Sequence, residues 1–133
     1  MSVKVSIIIR TKNEGKWLSD CLEGIKNQNF KNYEIIVVDN NSDDETIKIA
    51  KKNNCKIINI TKFIPGKAIN KGINLAKGKY IVILSAHCIP FDENWLQELV
   101  KEIQNKNFAG VYGRQVPLSS SSNKSKRDLY ITF

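Results

Sequence analysis

Three observations predict an open α/β fold, a mostly parallel, doubly wound sheet with helices on both faces. Short apolar runs alternate with segments of helical periodicity, giving the order βαβαβαβαβ. The runs at residues 35–38 and 80–84 are continuously apolar and rich in β-branched side chains, as strands covered on both faces are. Each run ends at a polar turn that opens a helix, as right-handed crossovers require.

Taken in order, residues 3–9 form the first strand and residues 10–15 its carboxyl-end turn. A helix over 14–27 places Trp17, Leu18, Cys21, Leu22 and Ile25 on one face, and the polar residues 27–32 end it. The second strand stops at Asp39, the edge where open α/β sheets bind ligands. Ser42 is placed to cap the next helix and Glu45 to close a capping box. That helix, residues 43–53, buries Ile47 and Ala50 behind an acidic first turn and a lysine-rich last turn.

Residues 55–60 give a third strand and 61–65 a loop. A helix over 67–76 presents Ile69, Ile73 and Ala76 on one face, with Gly78 as its C′ residue. Residues 80–84 read as a central strand, followed by the turn at 85–90. A helix from Asp92 turns Trp95, Leu96, Leu99, Val100 and Ile103 inward, and a last strand covers 108–112. Residues 119–127 read as a mobile polar loop, and 129–133 as the start of a truncated element. The domain division is therefore 1–117 and 118–133.

Composition excludes several classes. The 133 residues suffice for one domain with a real core, and no apolar run approaches the ~20 residues of a membrane span. The amino terminus runs straight into a strand, which makes the cytoplasm the default. Three widely spaced cysteines suit reduced thiols, and Cys88 beside His87 lacks the third group a nucleophile needs. The net charge is +8, from 21 basic and 13 acidic residues. It suits a phosphorylated substrate or an anionic membrane surface. Scattered lysines without interleaved aromatics argue against nucleic acid. Neither Gly-x-Gly-x-x-Gly nor Gly-x-x-x-x-Gly-Lys-[Ser/Thr] is present, against a dinucleotide Rossmann fold or a P-loop.

Four blocks in order resemble the family 2 glycosyltransferases of GT-A fold over about residues 3–117. They are Arg10-Thr11-Lys12-Asn13-Glu14, Val38-Asp39-Asn40-Asn41-Ser42-Asp43, Gly66-Lys67-Ala68-Ile69-Asn70-Lys71-Gly72, and Ala76 with Gly78. Residues 85–90 with 112–117 look like a bacterial rhamnosyltransferase-like subgroup that makes polysaccharides. The resemblance implies a nucleoside-diphosphate-sugar donor and a glycan or lipid-linked acceptor. It also implies that Thr11, Asn13, Glu14, Asp39, Asn41, Lys67 and Asn70 line the nucleotide pocket, with Asp39 accepting from the base. Ser85, Ala86, His87 and Arg114 join that set. The family's Asp-x-Asp, which holds a divalent metal (Mn²⁺ or Mg²⁺), is here Ser85-Ala86-His87. The metal is thereby in question, with His87 the candidate ligand or a phosphate donor. Family members continue further, with the acceptor site and catalytic base, and no residue here reads as that base. The chain is therefore expected to be a donor-binding part that exposes apolar surface, able to form a homodimer and to sit at the inner membrane face. The alternatives are a nucleotide-binding module without catalysis and a flavodoxin-like signalling domain. The latter wants an aspartate where Ile60-Thr61 stands.

Overall fold

The computed structural model describes residues 2, 4–105 and 107–122. Eight elements follow in the order β1 (Val5–Thr11), α1 (Gly15–Lys26), β2 (Tyr33–Asp39), α2 (Thr46–Lys52), β3 (Lys56–Asn59), α3 (Pro65–Leu75), β4 (Tyr80–Ser85) and α4 (Trp95–Ile103). The chain forms two compact units, Met1–Gln97 and Glu98–Phe133.

In the first unit all four strands are parallel, in the order β3-β2-β1-β4. Val5, Ile7, Ile8 and Ile9 of β1 are fully buried, because β1 has a strand on each side and helices over its faces. Ile8, Val38, Ile60 and Ala68 form one cluster, which places α3 over the Ile8 side of the sheet. Right-handed crossovers put α1 and α2 on the other side. There Val5, Ile7 and Ile9 point, by strand alternation. The chain builds outward from β1 through β2 to β3, then returns to lay β4 on the opposite side of β1. The topological switch point therefore lies between β1 and β4.

Several expectations are corrected. The strand at 80–84 is not central: β4 is an edge of the sheet among the described residues, with Ile81 and Ile83 exposed. Residues 108–112 are not a strand; a strand needs a neighbour, and the unit 98–133 has no other among its described residues. That unit holds the later part of α4, with the Lys101–Glu98 ion pair at 3.7 Å, and residues without regular structure. The expectations for residues 123–133 lie outside the described residues. In α3 the buried residues are Ala68 and Gly72, while Ile73 is exposed. The closest approach to the sheet selects small side chains: a Cβ on Gly72 would lie 2.6 Å from Ile8 Cγ2.

No capping box opens α2. Its N-cap, Glu45, makes no side-chain cap hydrogen bond, and Ser42 is used elsewhere. Gly78 is not a left-handed C′ residue, since no described glycine has positive φ. It is needed for space: a Cβ there would sit 2.5 Å from Ser6 N and 2.6 Å from Val5 C. Gln28, expected in a polar terminus, is only 1% exposed. Its Nε2 donates to the Asp92 carbonyl at 2.5 Å and its Oε1 accepts from Leu96 N–H at 2.9 Å.

Far from the ligand edge, Glu34 on β2 ties three segments together. Its carboxylate accepts from the Ser6 hydroxyl (2.6 Å), Lys77 N–H (2.6 Å) and Lys56 Nζ (2.5 Å). Burial alone would raise this carboxyl; the three donors outweigh it and hold it at about 2, below its ordinary 4.5. A depressed folded-state value means that the contribution is complete above the unfolded value and is lost as pH falls through the folded one. Glu34→Gln should therefore cost about 2 kcal/mol near neutrality and flatten acid destabilisation between the two values, read by urea unfolding against pH. A parallel pH profile in the variant would contradict this. Gly78→Ala should cost ~2 kcal/mol or more, because the atoms that must yield are backbone; unchanged thermal unfolding would refute that packing.

Candidate functional site

Two turns build the carboxyl edge of β1 and β2, and a network of hydrogen bonds joins them. Asn13 N–H donates to Ser42 Oγ at 2.8 Å, and Asp43 N–H donates to Asn13 Oδ1 at 2.9 Å. Lys12 Nζ donates to the Asn41 carbonyl at 2.7 Å. Asp44 accepts from Gly15 N–H (3.1 Å) at the first turn of α1 and from Thr46 N–H (2.9 Å) at the first turn of α2. Its carboxyl is lowered chiefly by the Thr46 hydroxyl, which also donates to it. A carboxylate at helix N-termini is stabilised by their dipoles. Asn13 (φ 48°) and Asn41 (φ 54°) both adopt left-handed backbone, which asparagine tolerates better than most residues. These two expected pocket residues thus shape the turns.

Asp39 is 1% exposed. Its two oxygens accept from Ser42 N–H (2.8 Å) and from Ser42 Oγ (2.5 Å), so the carboxylate is held at both ends. Ser42, expected as a helix cap, instead relays Asn13 N–H to Asp39. Thr11 is the register partner of Asp39. Thr11 Oγ1 is buried and has no hydrogen-bond partner. A buried hydroxyl without a partner is costly, and here it stands beside a fixed acceptor.

Across the switch point, Glu14 and His87 come together: Nδ1 of His87 lies 3.1 Å from Oε1 of Glu14. Ser85 ends β4 in register with Arg10, whose guanidinium donates to Ser85 Oγ at 3.1 Å. Ala86 is fully buried, its N–H donating to the Arg10 carbonyl at 3.1 Å. Lys67 and Asn70 are exposed on α3, Lys67 in its first turn. Arg114 belongs to the other unit and is exposed there. The first unit therefore gathers Thr11, Asn13, Glu14, Asp39, Asn41, Ser85, Ala86 and His87 at one sheet edge.

The donor chemistry at Ser85-Ala86-His87 does not suit a hard divalent cation, which prefers several oxygen ligands. Ala86 offers no side-chain donor, and the Ser85 hydroxyl already faces a guanidinium. No group of three or more His, Cys, Asp or Glu able to hold a metal occurs among the described residues. Arg10 and Ser42 were not among the residues expected at the site. A charged residue at the end of an otherwise apolar strand, Ile7-Ile8-Ile9-Arg10, was the available signal for Arg10.

Comparison with known proteins agrees with this layout. The model of the glycosyl transferase family 2 matches residues 6–131. The glycosyltransferase GlyG of Streptococcus pneumoniae is 34% identical over 119 residues, covering 85% of this chain and 39% of that protein. The O-antigen chain rhamnosyltransferase RfbN of Salmonella typhimurium is 33% identical, covering 86% of this chain and 38% of that protein. Among solved structures, S. aureus TarS superimposes with a TM-score of 0.70 at 27% identity, over 87% of this chain and 39% of that one. TarS has also been solved in complex with UDP-GlcNAc. The chain thus spans about two fifths of the length of these relatives. With a matched family model over nearly its whole length and parallel α/β topology shared with solved members, the chain belongs to glycosyl transferase family 2 and has the GT-A fold.

Proposed function

We propose that this chain is the donor-binding part of a glycosyltransferase that transfers a sugar from a nucleoside diphosphate to a polysaccharide or other glycan acceptor. The observation that carries the reading is the pair Thr11 and Asp39. A carboxylate locked at both oxygens stands beside a buried hydroxyl without a partner, at the carboxyl edge of a doubly wound sheet. A carboxylate only accepts, so it selects an N–H of a nucleobase, while a hydroxyl can both donate and accept. Kinship with proteins named as glycosyltransferases, and the UDP-GlcNAc complex of TarS, support a nucleotide-sugar donor.

In this reading Asn13 and Asn41 set the pocket's floor by fixing its turns, and Glu14 orients His87. Lys67, Asn70 and Arg114 remain assigned to the donor by resemblance alone. A divalent cation there would meet His87 and Glu14, a nitrogen and an oxygen that the fold brings together. The acceptor, glycan or lipid-linked, is assigned by the same resemblance. We assign the reaction to the bacterial cytoplasm, at the inner membrane face, where a net charge of +8 favours anionic lipid. No described helix is long and apolar enough to cross a membrane.

A homodimer through β4 belongs to the same reading. Residues 80–91 contain no Asp, Glu, Lys or Arg, so two copies can meet there without like-charge repulsion. Light scattering should show a dimer that Ile83→Lys dissociates; a monomeric wild type would refute it.

Calorimetric titration with UDP, dTDP, CDP and GDP tests the donor assignment. One nucleotide should bind selectively, and Asp39→Ala should weaken it by about tenfold or more, the loss of a charged hydrogen bond. Equal affinity in the folded variant, or no binding by any nucleotide, would overturn the assignment.

A further inference from the structure

We infer that Arg10 is the diphosphate-binding cation of this site, supplying from the chain the positive charge that the Ser85-Ala86-His87 turn is poorly built to hold as a metal. The inference deepens the donor-binding reading and rests on it for the identity of the nucleotide.

Arg10 lies at the switch point, in register with Ser85 of β4 on one side and Val38 of β2 on the other. Strand alternation sets it on the Ile8 face of the sheet, which α3 covers, and away from the face that carries Thr11 and Asp39. Among the described residues its guanidinium donates once, to Ser85 Oγ at 3.1 Å. Its Nε is buried and has no hydrogen-bond partner. Among the described residues no carboxylate pairs with it: Glu14 is engaged with His87, and Asp39 lies on the opposite face of the sheet. A half-buried guanidinium without a counter-ion is unusual, because buried charge is ordinarily paired.

The missing partner is an anion, and the geometry describes which kind. Arginine presents planar, forked donors that match phosphate oxygens two at a time. Ser85 Oγ takes one donor and steadies the fork, leaving the remaining N–H groups for a ligand. Lys67, in the first turn of α3, adds a second exposed cation on the same face of the sheet. The first turn of that helix has no acidic residue and no side-chain cap, so its amide dipoles favour negative charge as well. A diphosphate lying across the switch point would thus meet positive charge while its base reached Thr11 and Asp39 on the neighbouring strand ends. No bond is made or broken in this step; it is electrostatic neutralisation of the donor.

The test is titration of the folded chain, in EDTA, with inorganic pyrophosphate, with the selected nucleoside diphosphate and with its nucleoside. Wild type should bind both phosphorylated probes without metal. Arg10→Gln should weaken both by about tenfold or more and leave nucleoside affinity unchanged. Arg10→Lys, which keeps the charge and loses the fork, should recover part of the loss. Thermal unfolding of each variant confirms that the comparison is between folded proteins. Wild-type affinity in Arg10→Gln would overturn the inference, as would diphosphate binding that vanishes in EDTA and returns with Mn²⁺. Pyrophosphate binding that depends on Arg10, with no added affinity for any nucleotide, would uphold the Arg10 site and instead overturn the nucleotide reading.

Discussion

The double pairing of β1 is the constraint on which the rest depends. Val5–Thr11 has a parallel neighbour on each side and buried side chains on both faces, so β2, β4 and α3 are placed by reference to it. α3 approaches it closely enough to require Gly72 over Ile8, and the entry to β4 passes so near Ser6 that Gly78 has no room for a Cβ. Burial of Ile7, Ile8 and Ile9 removes a large apolar area from water, the main favourable term in folding. Ser6, a polar residue in that interior, is matched on both counts: it donates to Glu34 and accepts from Gly78 N–H.

The same strand organises the chemistry. It ends in Arg10 and Thr11, two adjacent residues that alternation sends to opposite faces. Thr11 stands beside Asp39 and Arg10 beside Ser85. Both leave a buried polar atom without a partner, Arg10 Nε and Thr11 Oγ1. Orphaned polar groups are rare in folded proteins, and functional or strained sites are where they are expected. The turn network around Asp44 and Ser42 holds the surrounding backbone; on the proposed donor-binding reading, less ordering is then left for binding.

Much of the fold was legible because the relevant signals are local. The apolar run at 35–38 and its stop at Asp39, Pro65 at the first turn of α3, and the lysines ending α2 all follow from short-range chemistry. The gathering of candidate residues at one sheet edge was legible for the same reason, since strand ends and turn residues mark the carboxyl edge of a parallel sheet. Errors arose where a residue answers to something distant. Gly78 looked like a helix terminator and is a packing glycine; Ser42 looked like a cap and holds Asp39; Gln28 looked like a solvated terminus and is buried against the start of α4.

By itself the sequence determined the alternation of strands and helices, the parallel architecture and the family, because hydrophobic period and turn chemistry are properties of neighbouring residues. Only the tertiary structure decided which strand lies at the sheet's edge, that Glu14 meets His87, and that Arg10 faces Ser85 without a carboxylate. Those outcomes depend on strand order and register, which bring together residues as distant in sequence as Arg10 and Ser85. No local pattern encodes that distance.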